Sequence, residues 1–167
     1  MTHAKNKVKW CLRKAEPEGF ERHRGLVKIQ PNKNKARAHI AKAEHYLKAT
    51  DYLKKGDFTD LCTSTIFYSI YHCLLAIAAK FGYESRNQEC TFALIYTLIE
   101  DGLVDIDVSL INKIASLDVK NNAEKTTAQI REEYQYGTSL SIKDGLYIEL
   151  FELAKDILSK TKVIIEE

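Results

Sequence analysis

Ser64, Tyr68 and His72 stand four residues apart in the run STIFYSIYHCLLAIAAKFG, so on a helix they form a single column. Two chemistries are open to it. Either the polar tips find partners inside a core, or they line a nucleotide or RNA site in which His72 acts as acid or base near neutral pH. No carboxylate or nucleophile stands at a spacing that would complete a catalytic set, so both readings stay open. Further on, AQIREEYQYG supplies Arg131 and Tyr134. The planar guanidinium of Arg131 can hold a phosphate bidentately, with Tyr134 offering a hydroxyl or a ring face. The plain alternative for Arg131 is a surface ion pair with Glu124, Glu132 or Glu133. Arg86, in the polar turn ESRNQEC, joins the ligand-binding candidates, with simple surface decoration as its alternative. His3, His23, His39 and His45 have no spacing that faces them together on one helix, so neither a metal centre nor a cofactor is read.

The elements that must position these residues are helical. Ile40, Ala43, Leu47, Thr50 and Leu53 follow Asn32 or Asn34 as cap, and the helix stops near Gly56. Asp57 is the expected cap of a second helix running to Gly82, about 36 Å long at 1.5 Å per residue. On it Thr63, Phe67, Ile70, Leu74, Ile77 and Phe81 make a core stripe. Cys62, Thr65, Ser69 and Ala76 make a sector of small side chains, where another helix of this chain or of a second copy approaches closely. Apolar or small nearly all round, this helix is expected to be central. TFALIYTLIEDG reads as a third helix ending at Gly102, and DIDVSLINKIASLD as a short helix capped by Asp107 or Ser109. A fourth is expected over about residues 120–136, with Ala123, Thr127, Ile130 and Tyr134 on its stripe. A fifth starts near Asp144. Short connections favour antiparallel neighbours, so the expected fold is all-α, an up-and-down bundle of four to five helices over residues 35–162, with residues 163–167 frayed.

Composition agrees: 45% hydrophobic and 29% charged residues with seven Gly and two Pro suit an ordered helical domain. The net charge of +2 conceals an asymmetry, since residues 1–35 hold ten Lys or Arg against three acids and the remainder fifteen against twenty. Residues 1–34 are read as a basic appendage, either a nucleic-acid arm or a segment lying on its own domain or on an acidic partner. In it the cluster ERHRG, with Trp10 and Phe20 nearby, offers stacking and phosphate contacts. Cys11, Cys62, Cys73 and Cys90 form no C-x-x-C pair, so neither a disulfide framework nor a zinc site is expected. Cys62 and Cys73 are expected to be small buried hydrophobes, and a reduced cytoplasm the natural setting. Neither a signal peptide nor a membrane span is read.

From NKARAHIAKAEHYLKATDYLKKGDFTDLCTSTIFYSIYHCLLAIAAKFGYESR to AQIREEYQYG, the order and spacing of the opening helix, the aromatic helix and the Arg131–Tyr134 region resemble the HEPN family. These are the higher eukaryote and prokaryote nucleotide-binding domains, and the likeness is to their stand-alone archaeal and bacterial branch. The resemblance implies a bundle that commonly dimerises and is often encoded beside a minimal nucleotidyltransferase. Some members are metal-independent ribonucleases that carry an Arg, then four to six residues, then a His. Here the matching positions after Arg131 hold Tyr136, Gly137 and Thr138, and those after Arg86 hold Thr91, Phe92 and Ala93. Arg37 and His45 are spaced one residue too widely. The expected function is therefore a binding or interaction module, a homodimer that holds a nucleotidyltransferase partner, a nucleotide or RNA, without a membrane. Its alternative is a divergent, toxin-like ribonuclease using His72, Arg131 and Tyr134.

Overall fold

The computed structural model describes residues 2–115, 117 and 124–167. Its elements in order are α1 (His3–Ala15), a 3-10 turn (Glu16–Glu18), β1 (Leu26–Lys28), α2 (Lys33–Lys55), α3 (Thr59–Lys80), β2 (Tyr83–Ser85), α4 (Gln88–Glu100), α5 (Val108–Ile114), α6 (Thr127–Tyr136) and α7 (Asp144–Glu166). The all-α expectation holds: α3 lies at the centre of a helical bundle, against α2, α6 and α7. Its apolar window is long enough to cross a membrane, yet 61% of it is buried by the rest of the chain.

Helix ends follow local chemistry. Asn32 caps α2 by accepting the Lys35 N–H at 2.8 Å. Gly82, at φ 81°, turns the chain after α3, where an added Cβ would come within 2.9 Å of the Ile29 carbonyl. Asp57 is not the cap expected of it: it takes a left-handed conformation (φ 62°) in the reversal after α2, and α3 starts without a side-chain cap. Thr126 and Gln129 form a capping box for α6. The expected helix start at 120, with Ala123, lies outside the described residues.

End-to-end ion pairs fix the directions of the long helices. Lys33 and Arg37, at the start of α2, hold Glu166 at the end of α7, while Lys54, at the end of α2, holds Asp144 at the start of α7. So α2 runs antiparallel to α7 and, through its tight turn, to α3. Lys80 at the end of α3 donates to the Ile164 carbonyl, so α3 and α7 run side by side in one sense. The C-terminus does not fray: Ile164 and Ile165 are buried, and the Arg37 fork grips Glu166 with two bonds of 2.9 Å.

The small-residue sector of α3 receives α2. Ser69 Oγ donates to the Ala43 carbonyl at 2.9 Å, Thr50 and Thr65 hydroxyls meet at 2.7 Å, and Cys62 Sγ contacts the Thr50 carbonyl at 3.6 Å. The close contact left open between one chain and two is made within the chain.

Residues 1–34 are not a loose appendage. Ala4, Val8, Cys11 and Ala15 bury one stripe of α1, which packs on α4, and β1 pairs antiparallel with β2 inside the supposed polar turn ESRNQEC. A Cys11–Cys90 disulfide joins α1 to α4 across 79 residues, against the expectation of none. Only the fold brings these cysteines together, whereas Cys62 and Cys73 are free and buried as expected. Closing so long a loop should stabilise by about 2–5 kcal/mol. Because the free thiols are buried, comparing urea midpoints with and without dithiothreitol isolates this bridge. The expected result is a loss in that range, reproduced by Cys11→Ser/Cys90→Ser, a variant in which dithiothreitol then causes no further change.

Candidate functional site

The column on α3 faces a second column on α2. His39, Lys42 and Tyr46 recur at helical spacing on α2, and α2 lays them along Tyr68 and His72. His39 Nδ1 and His72 Nδ1 lie 3.0 Å apart, one ring donating and the other accepting. Tyr46 stacks on His72 with centroids 5.6 Å apart and leans on Tyr68 at 5.8 Å. Arg131 reaches the far end of this string from α6. Its Cζ sits 4.7 Å over the Phe67 ring and 5.8 Å over Tyr68, and an Nη donates to the Tyr68 hydroxyl at 3.5 Å.

Arg131 is only 8% exposed, so it is not the surface residue of its plain reading. Its Nη1 donates to Gln135 Oε1 at 3.0 Å, and the nearest carboxylate, on exposed Glu132, is 3.6 Å from Nη2. Its Nε is buried with no partner among the described residues. A cation this deep is ordinarily paired with a carboxylate. Two aromatic faces compensate part of its charge, and the remainder is open to an anion.

The other candidates fall differently. Tyr134 is half-buried and packs on the core, while Tyr68 and Gln135 take the place beside Arg131. His72 joins Arg131 only through the Tyr46 and Tyr68 rings. Arg86 fastens the N-terminal segment: it bonds Glu84 at 2.8 Å and donates to the Glu21 carbonyl at 2.7 Å. Glu84 also takes Lys35 at 2.8 Å and buried His23 at 3.1 Å. Burial alone would raise its carboxyl, but the bonds from Lys35 and His23 hold it near 2. Among the described residues no group of three or more His, Cys, Asp or Glu side chains gathers to hold a metal ion. A groove of about 480 Å³ between α5, α6 and α7 is lined by none of the sequence candidates.

Burial first, then neighbouring His72 and Lys35, hold His39 down to about 4; burial and then Lys42 also lower His72. Both rings are therefore neutral at pH 7. A histidine whose folded value lies below its unfolded value of about 6.5 takes up protons more readily when unfolded. Stability should thus fall as pH drops from about 6.5 towards 4, the window set by His39. In His39→Gln the slope of urea midpoint against pH should flatten across that window, whereas the loss carried by Glu84 persists at lower pH.

No family model matches the chain. It is similar to a UPF0332 protein of Archaeoglobus fulgidus, 26% identical over 124 residues that span 74% of this chain and 89% of that protein.

Proposed function

We propose that the chain is a HEPN-like binding and interaction module of the cytoplasm, working as a homodimer beside a minimal nucleotidyltransferase, with Arg131 as the phosphate contact for a nucleotide or RNA. One observation carries this reading: a guanidinium buried to 8% exposure against Phe67 and Tyr68, whose Nε has no partner among the described residues and whose carboxylate neighbour, exposed Glu132, lies 3.6 Å from Nη2. A phosphate oxygen at its Nη edge, beside the Tyr68 hydroxyl, completes the missing charge. The helical bundle and the similarity to the UPF0332 protein support the scaffold half of the proposal. Assembly is supported by exposed Tyr52, Phe58, Leu61, Tyr136 and Leu140, which sit around the α2–α3 turn and the α6–α7 loop. The bond from the Ile142 N–H to Thr59 Oγ1, 3.1 Å, holds these two connections together. A thiol-rich cytoplasm is compatible with the bridge because Cys11 and Cys90 are both buried from attack.

RNA cleavage has weaker support. His72 spends its Nδ1 on His39 and faces Tyr46, so it does not stand beside Arg131 as a base.

A ligand-seeking arginine and a structural one respond oppositely to Arg131→Met. Replacing an under-compensated buried cation with a matching apolar chain should leave stability unchanged or raise it by about 1 kcal/mol. The same change should weaken adenosine monophosphate binding, followed by calorimetry, about tenfold or more. A loss of stability above about 2 kcal/mol with nucleotide affinity intact would make Arg131 a structural residue. Native mass spectrometry of protein from its own host should show a dimer or a retained nucleotidyltransferase; a bare monomer would refute the assembly.

A further inference from the structure

The N-terminal face presents a second set of cations, remote from Arg131 in the chain and built differently. Lys14, Arg22 and Arg24 are exposed and line an open groove of about 560 Å³ with Glu18 and Asn87. None of the three cations is in an ion pair among the described residues. Glu18 is the one carboxylate among these lining residues, so three cations face one anion and the groove keeps an excess of positive charge. Glu18 Oε2 accepts the Arg24 N–H at 2.9 Å, and Asn87 Oδ1 accepts the Cys90 N–H at 3.0 Å.

Lys14 also belongs to a neighbouring arrangement. Its Nζ lies 4.7 Å from the Trp10 ring centroid, and Lys7 Nζ lies 4.4 Å from the same ring. Trp10 is 44% exposed, and Phe20, in the loop that carries Arg22, is 57% exposed. Two large aromatic rings left in solvent beside four cations, of which Lys7 is paired with Glu89 at 2.9 Å, make a mixed surface. An acidic protein supplies carboxylates but few ring faces, whereas a single-stranded nucleic acid alternates phosphates with unpaired bases. The face is also held in shape before any partner arrives: the Cys11–Cys90 bridge anchors α1, Arg86 holds the Glu21 carbonyl, and His23 is locked under the loop by Glu84.

We propose that this face, Trp10 and Lys14 of α1 with Arg22 and Arg24 of the following loop, binds single-stranded nucleic acid, the cations taking phosphates and Trp10 stacking on a base. The site stands apart from the Arg131 reading and does not depend on it.

Fluorescein-labelled decamers of uridylate and thymidylate, titrated with the full chain by anisotropy from 50 to 300 mM NaCl, test it. Three phosphate contacts should give a slope of log K against log salt of about −2. Arg22→Glu/Arg24→Glu should weaken binding at least tenfold and make the slope shallower by about 1.4. Because Trp10 is the single tryptophan, its fluorescence should be quenched on binding, and Trp10→Ala should cost about tenfold in affinity. Preference between the two decamers assigns the site to RNA or DNA, and equal binding assigns it to both. Both arginines are exposed, so the double variant should melt like the parent and keep its adenosine monophosphate affinity, which separates this surface from Arg131. Salt-independent binding, or binding indifferent to the double variant, overturns the proposal. Binding of polyglutamate without binding of either decamer also overturns it and assigns the face to an acidic protein.

Discussion

The approach of α2 to the small-residue sector of α3 sets the rest of the structure. Ser69, Thr65 and Cys62 bond directly to backbone or hydroxyl oxygens of α2, so the two helices are held at the distance that small side chains permit. That distance leaves no room for long side chains along the contact line and forces the larger ones to its edges. His72 and Tyr68 stand at one edge of α3 and meet His39 and Tyr46 at the matching edge of α2. The aromatic string is thus a by-product of close helix packing. Because α3 is buried nearly all round, every other helix of the bundle takes its position from it.

Two electrostatic solutions sit on this frame. Around Glu84 the charges converge, with Lys35, Arg86 and His23 all reaching one carboxylate, and the strand pair and the N-terminal loop are fixed to α2 as a result. Around Arg131 they are sparse: aromatic faces and an amide surround the guanidinium, and exposed Glu132 is the carboxylate beside it, at 3.6 Å. The first arrangement gathers three cationic side chains on one carboxylate. The second leaves the Arg131 Nε without a partner among the described residues.

Much of this was legible in the sequence, and the reason is periodicity. The core stripe Thr63, Phe67, Ile70, Leu74 and Ile77 is buried, Cys62 and Cys73 are buried thiols, and the caps Asn32 and Asp107 do what their side chains allow. What escaped depends on contacts between distant segments. Helix α1 buries Ala4, Val8, Cys11 and Ala15 at helical spacing, a stripe passed over because the segment was read by its charge, and the bridge to Cys90 has no local signature. Three-residue strands are shorter than any alternation pattern can declare. At the candidate site, Tyr68 meeting Arg131 links positions 63 apart. His39 was read only as lacking metal-ligand spacing and Tyr46 not at all, because their partners His72 and Tyr68 lie on another helix.

The disulfide has a topological meaning for the site. Residues 11 to 90 form a closed covalent ring that contains β1, α2, α3 and β2, whereas α6 and α7 hang outside it on the open part of the chain. Tyr68 and the histidine pair belong to the ring; Arg131 belongs to the open part. The contact between them therefore joins a cross-linked half to an unlinked half: the bridge constrains the Tyr68 side of it and leaves the Arg131 side held by packing alone.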